Sequence, residues 1–212
     1  MGIQERRERE KENRRQEIID AAERIFFAKG LDTATMDEIA EEAELSKGTL
    51  YLYFKSKEEL YLQIHLRGNK LLTSYFKEAI KKEKKGIDKL HAIGEAYYRF
   101  FINEPDYATA VMYYESKDFD LSNYESCAQA CAEAGRETLG VVIEAIQIGI
   151  MDGSIRANID PLKTAVVLWG ESTGIIKLVS AKENILNLQY NLKGKDIVAY
   201  AFDLIFESIK WR

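Results

Sequence analysis

Apolar residues recur along this chain at helical spacing, with few turn signals between them. Ile18, Ala22, Ile25 and Phe26 fall at i, i+4, i+7 and i+8, one face of a helix that begins near Arg14 and that Gly30 can end as a C-cap. Thr35, with Glu38 three residues on, reads as a capping box opening a short helix whose apolar stripe is Met36, Ile39, Ala40 and Ala43. Ser46 can cap a third helix running to about Phe54. Ser56 or Lys57 opens a fourth and unusually long one, with Leu60, Ile64, Leu71, Tyr75 and Ala79 on its apolar face. After a Lys/Gly break at 84–86 the period resumes, with one helix over 87–103 and another from Pro105 to about Ser116. Residues 117–122 read as a loop, and 123–151 as a long helix stopped by the Asp152-Gly153 turn. Asp160-Pro161 pairs an N-cap with an N1 proline and opens a helix to about Asn184. A loop through Gly194 leads to a last amphipathic helix over 195–211. The pattern predicts three short helices and then six longer ones, about nine in all, with no repeat and no strand.

Composition narrows the class. Two prolines and 13 glycines in 212 residues leave little punctuation for a sandwich or barrel, so the expected fold is all-α. A chain 46% hydrophobic and 31% charged is too apolar for disorder. The longest uncharged run, Asn184 to Leu192, is nine residues, so no membrane partner is expected. Residues 5–12 are all charged and do not fit a signal peptide, and two cysteines cannot staple a framework; a cytoplasmic location is expected.

Net charge is −5, which argues against coating nucleic acid or anionic membrane by bulk charge. The first sixty residues carry 11 basic and 15 acidic side chains, so any DNA contact must come from a local patch. Residues 1–13 form an arm with four basic and four acidic side chains. Glu5 with Arg9, and Glu10 with Arg14, are spaced for a solvated helical extension. Arg14 and Arg15 are candidates to reach DNA from this arm, and solvated charge is the equal alternative.

The second and third helices are too short to bury a face alone, so they must pack on each other and on the first, as in a helix-turn-helix. On the third, Leu50 and Phe54 point to that small core. Gly48, Thr49 and Leu52 lie opposite, flanked by Tyr51 and Tyr53, a poor face for solvent but a suitable one for a major groove. Packing against the fourth helix is the alternative for the two tyrosines. From Ser46 to Lys57 there are three lysines and no acid, and Lys47 and Lys57 would flank the groove at helix N-termini.

The stretch from Ile18 to Leu60, IIDAAERIFFAKGLDTATMDEIAEEAELSKGTLYLYFKSKEEL, closely resembles the DNA-binding domain of the tetracycline-repressor (TetR) family. It does so in the first-helix ending AA…F…KG, then T-x-x-x-I-A-x-x-A, then S-K-G-T-L-Y-x-Y-F-x-x-K-E-x-L. The resemblance covers about a fifth of the chain, joined by an R-x-N-x-D-P element at 156–161. It implies a homodimeric transcription regulator, usually a repressor, that binds a palindromic double-stranded operator and leaves it on binding a small molecule. By the same resemblance Lys47, Gly48, Thr49, Tyr51, Leu52 and Tyr53 fall on the recognition helix, and Thr35 and Lys57 fall where the family clamps phosphate. Where Leu52 stands, the family often has a basic or small polar residue. The implied organisation is an arm at 1–13, a DNA-binding domain at 14–58 and a ligand-binding and dimerisation domain at 59–212.

The remaining candidates lie in that last segment. Gly170 and Gly174, four apart, give one helix a face small enough for close contact, while Ile197, Ala201, Leu204 and Ile205 make a broad stripe on the final helix. Two copies would form a four-helix bundle, and a kinked core helix is the alternative. Tyr97, Phe101, Tyr113, Tyr114 and Trp169, with the carboxylate of Glu115, are candidates to line a mostly apolar pocket for a flat, aromatic or cationic effector. Ordinary core packing explains the rings as well. Cys127 and Cys131 share a helical face, but His65 and His91 are remote in sequence, so buried, inert thiols are expected and no metal or cofactor. No catalytic set, phosphate loop or metal spacing is present, which argues against an enzyme. A DNA-bound chromosome-organising factor of the same fold is the alternative to a transcriptional role.

Overall fold

The computed structural model describes residues 2–116 and 125–211; of Glu115, Ser116 and Glu125 only the backbone is described. Among the described residues the chain is all-α, with nine helices in the order α1 (Ile3–Lys29), α2 (Met36–Glu42), α3 (Lys47–Tyr53), α4 (Lys57–Ile80), α5 (Gly86–Asn103), α6 (Pro105–Ser116), α7 (Glu125–Met151), α8 (Pro161–Tyr190) and α9 (Gly194–Ile209). None is long and apolar enough to cross a membrane. The expected loop at 117–122, and the first residues of the helix expected from 123, lie outside the described residues.

Two boundaries differ from the sequence pattern. The arm is not separate from the first helix: α1 is one helix of 27 residues, so it is not short. Glu5 Oε2 accepts from the Gly2 amide at 2.8 Å, and Arg6 pairs with Glu10 at 2.8 Å. Helix α8 runs on past Asn184 to Tyr190 and stops at Asn191, whose φ of 52° is left-handed. Asparagine inside a helix costs only tenths of a kcal/mol, so the first effective stop is the residue that adopts the cap conformation.

The chain divides into two compact units, Met1–Asn69 with Asp106–Glu133, and Lys70–Pro105 with Ala134–Arg212. This differs from the division at residue 58, because α6 and the first half of α4 pack with the helix-turn-helix. In the first unit Ile18, Ile39, Leu50, Phe54, Leu60 and Ile64 are fully buried in one core, and Ala110 of α6 belongs to the same cluster. The Tyr61 hydroxyl donates to the Ala110 carbonyl at 3.1 Å. At Gly68 a Cβ would meet Val111 at 3.0 Å, so α4 and α6 approach closely there.

His65 lies in the same contact, buried and stacked on Tyr114 with ring centroids 3.9 Å apart. Asn69 meets its Nε2 at 2.9 Å, while Nδ1 makes no hydrogen bond of normal geometry. Burial pushes the imidazole down to about 4, and the Ala110 carbonyl offsets part of that effect.

In the second unit α9 packs on α5 and α8 through Val198, Phe202 and Phe206. A Cβ on Gly94 would meet the Phe202 ring at 3.2 Å. The α5 N-terminus is held by the turn after α7, where Asp152 Oδ2 accepts from the Gly86 amide at 2.8 Å and Ser154 Oγ from the Ile87 amide at 3.2 Å. The turn itself needs Gly153, at φ 73°. Asp160 caps α8 by accepting from the Lys163 amide at 2.9 Å, with Pro161 at its first position.

The buried imidazole sets a pH dependence. The unfolded chain binds this proton near pH 6.5 and the folded one only near 4, so stability is highest above about pH 6.5 and falls as pH drops through that window. Urea unfolding at pH 7 and pH 5.5 is expected to show a loss of about 1 kcal/mol that His65→Leu abolishes. Equal stability of the wild type at both values would mean that His65 ionises within the fold.

Candidate nucleic-acid interface

Helix α3 is positioned from both ends. The Ser46 hydroxyl accepts from the Thr49 amide at 3.2 Å, and Phe54, in extended conformation, ends the helix. Leu50 and Phe54 are 0% exposed, so the rotation of α3 on its core is fixed. The opposite side faces outward. Leu52 is 77% exposed and Gly48 has open space, the nearest heavy atom to an added Cβ being Ser46 Oγ at 4.0 Å. Thr49 is half-buried, its hydroxyl 2.8 Å from that of Ser46. Tyr51 is exposed, whereas Tyr53 is half-buried against the core, so packing takes part of the second ring.

Three of the four acids of α2 are met by cations from its neighbours. Glu38 pairs with Lys29 at 2.5 Å, Glu42 with Arg24 at 2.5 Å and Asp37 with Lys47 at 2.6 Å. The Lys29 ammonium and the Thr35 donors hold the Glu38 carboxyl below its ordinary range. Asp37, by hydrogen bond and charge, raises the Lys47 ammonium in turn. Thr35 is engaged in the capping box: its Oγ1 accepts from the Glu38 amide at 3.3 Å, and Glu38 Oε2 accepts from the Thr35 amide at 3.1 Å.

Lys57 does something the sequence did not suggest. Its ammonium donates to the carbonyls of Leu31, Asp32 and Ala34 at 2.9, 3.2 and 3.2 Å. Three donors are thus directed to the loop between α1 and α2 and tie α4 to that loop. Lys55 similarly donates to the Tyr51 carbonyl at 3.1 Å.

Further ties join the helix-turn-helix to α4 and α6. Arg67 pairs with Asp20 at 2.7 Å and Glu23 at 3.0 Å, and donates to Gln16 at 2.9 Å. Tyr107 of α6 donates to Glu23 at 2.9 Å, and Tyr113 to Asp32 at 2.8 Å. Sequence reasoning missed Arg67 and Tyr107, whose partners are 44 to 84 residues away with no local spacing to mark them.

The six residues expected at a ligand pocket are divided between the two units. Tyr113 and Tyr114 belong to the first unit, where one phenol is committed to Asp32 and the other ring to His65. Tyr97, Phe101 and Trp169 belong to the second. Tyr97 is buried, packed edge-on to Phe101 at 5.0 Å, with its hydroxyl 2.8 Å from that of Thr173, while Trp169 is 44% exposed. The Glu115 side chain lies outside the described residues. Cys127 and Cys131 are buried, with Gln63 donating to Cys127 Sγ at 2.8 Å and Cys131 donating to the Leu62 carbonyl at 3.4 Å. Burial pushes the Cys127 thiol up, and no group of three metal-binding side chains occurs among the described residues.

Gly170 and Gly174 stand exposed on α8 with open space around both. On α9, Leu204 is 56% exposed and Ile197, Ala201 and Ile205 are half-buried.

Residues 18–64 match the family model described as bacterial regulatory proteins, tetR family. The transcriptional repressor KstR2 of Rhodococcus jostii is 31% identical over 153 residues, 71% of this chain and 72% of that one. The transcriptional activator FasR of Mycolicibacterium smegmatis is 35% identical over 108 residues, but that match spans only 47% of this chain and 49% of the activator. Among solved structures, the regulator FadR of Bacillus subtilis in complex with stearoyl-CoA superposes with a TM-score of 0.69 at 21% identity, covering 92% of this chain and 98% of that one. The chain belongs to the TetR family of bacterial transcription regulators.

If Lys57 holds the loop, Lys57→Met leaves three carbonyls short of a donor and lowers unfolding free energy by about 1–3 kcal/mol in urea titration. It leaves the salt dependence of DNA binding unchanged. A salt slope reduced by about 2 per dimer, at unchanged stability, would return the ammonium to phosphate.

Proposed function

We propose that the protein is an effector-responsive repressor that binds a palindromic operator as a homodimer. The observation that carries this reading is the outward face of α3, where Gly48, Thr49, Tyr51 and an exposed Leu52 stand behind a fully buried Leu50 and Phe54. In the major groove Gly48 permits close backbone approach, Thr49 bonds a base edge and Leu52 meets a thymine methyl. The N-terminus of α3 and Lys47 face phosphate.

The dimer is formed by α8 and α9. Support comes from large apolar side chains exposed on these helices, including Val167, Leu178, Ile185, Tyr200 and Leu204. Gly170 and Gly174 let a second copy approach closely. The effector is an apolar small molecule received by the helices after the helix-turn-helix. The stearoyl-CoA held by the structural neighbour makes a long-chain acyl thioester the first class to test. Release is felt at the helix-turn-helix through α6, whose Tyr107 and Tyr113 hold Glu23 and Asp32.

Footprinting of the DNA flanking its own gene is expected to show one protected palindrome, lost on addition of effector. Many scattered sites in chromatin immunoprecipitation, with no change in transcription, would instead make it a chromosome-organising factor. Gly174→Arg is expected to give monomers by light scattering that keep their helical circular dichroism and lose operator binding. A variant that stays dimeric would move the interface off this face. Stearoyl-CoA is expected to raise the melting temperature where cationic aromatic compounds do not.

A further inference from the structure

We infer that the N-terminal extension of α1 is a second DNA-contacting element, in which Arg7 and Lys11 bind backbone phosphates beside the groove that α3 enters. The inference rests on the DNA-binding reading above and adds to it a surface outside the helix-turn-helix. The face of α1 that buries Ile18 and Ala22 continues toward the N-terminus at Arg14, Lys11 and Arg7, each three or four residues from the next. The side of the helix that seats on the core therefore becomes basic as soon as it leaves the core.

This basic side adjoins the recognition helix. Lys11 and Arg15, with Glu8 and Glu12, line an open groove of about 350 Å³ against Leu52 and Tyr53. Arg15 anchors it: its guanidinium stacks 4.7 Å from the centroid of the Phe54 ring and donates to Gln63 at 3.3 Å. Arg14 pairs with Glu17 at 2.7 Å. Arg7 and Lys11, further out, are exposed. The residues ahead of Ile18 extend about 22 Å as helix, longer than a major groove is wide at about 12 Å, which gives the strip the length to span to flanking phosphates.

The extension is also held as a helix before DNA arrives. The Gly2 amide donates to Glu5, Arg6 pairs with Glu10, and Gln16 donates to Glu12 at 2.7 Å. Cations on a preformed helix lose less conformational freedom on binding than cations on a disordered arm. Glu8 and Glu12 face the same groove and repel the same phosphates, which moderates the attraction. Their presence gives the inference a second sign to test.

The test uses the full chain and two duplexes of about three helical turns, one of arbitrary sequence and one carrying the footprinted site. Binding is read by fluorescence anisotropy across a salt series. Arg7→Gln with Lys11→Gln is expected to weaken both complexes by the same factor and to reduce the salt slope by about 4 per dimer. Glu8→Gln with Glu12→Gln is expected to tighten both. These positions are exposed, and helical circular dichroism checks that each variant is folded. Wild-type slope and affinity in both variants would remove the extension from the DNA while leaving the α3 reading intact. A wild type that binds neither duplex would overturn both.

Discussion

Two helices of seven residues cannot bury an apolar face between them, and the organisation of the first unit follows from that constraint. Helix α1 supplies Ile18, Ile19 and Phe26, but the cluster closes only when Leu60, Tyr61 and Ile64 of α4 and Ala110 of α6 are added. The helix-turn-helix is therefore the outer part of a larger core, not a module resting on a linker. The polar ties run the same way. Lys57 and Arg67 reach from α4 to the loop after α1 and to α1 itself, and Tyr107 and Tyr113 reach there from α6. Helix α3, with Leu50 fully buried and Phe54 behind it, on a core held at this many points, has little freedom to turn. That rigidity is what base reading requires.

The same arrangement bears on how an acidic segment presents a face to DNA in the proposed complex. Across its first sixty residues the chain is net negative, but charge acts locally. Three carboxylates of α2 sit within 2.6 Å of cations from α1 and α3. These exposed pairs contribute little stability; their effect is to offset most of the negative field of α2 beside α3. Lys47 is paired with Asp37 in this way, and Lys57 is engaged separately with the carbonyls of Leu31, Asp32 and Ala34. In the proposed complex, direct readout leans on the α3 backbone, the Thr49 hydroxyl and Leu52, and the phosphate contacts of Lys47 and the α3 N-terminus are supplemented from elsewhere on the surface.

What was legible in the sequence was local. The Thr35–Glu38 box, the Ser46 cap and the Asp160-Pro161 start each involve groups within three residues, and each is found where the spacing places it. The inward turn of Leu50 and Phe54 follows from helical period alone. The roles of Lys57 and Tyr113 were not legible. A lysine after an acid-free run fits a phosphate equally well as a set of loop carbonyls, and only the fold places residues 31–34 within its reach. Similarly, aromatic density marks burial without naming the partner: Tyr97 and Tyr113 look alike in sequence, yet one bonds Thr173 and the other Asp32. Helix α8 runs past Asn184 because the left-handed cap conformation is adopted only at Asn191, which side-chain spacing does not mark.

Helices α8 and α9 pose the opposite problem, apolar surface in excess of the core available to bury it. On α9, Val198, Phe202, Phe206 and Ile209 face inward, while Tyr200 and Leu204, on the far side, are 65% and 56% exposed. A helix needs one apolar stripe to join a core; a second, on the outside, is costly in water unless something covers it. On α8 the pattern is sharper, because Leu178 and Ile185 stand exposed where the intervening Ala181 and the nearby Gly174 offer no bulk. Large side chains separated by small ones on one face make a surface into which an identical surface can interdigitate under a two-fold axis. In the proposed dimer this face is the one through which two copies meet, with the outer stripe of α9 and the small-residue face of α8 covered together.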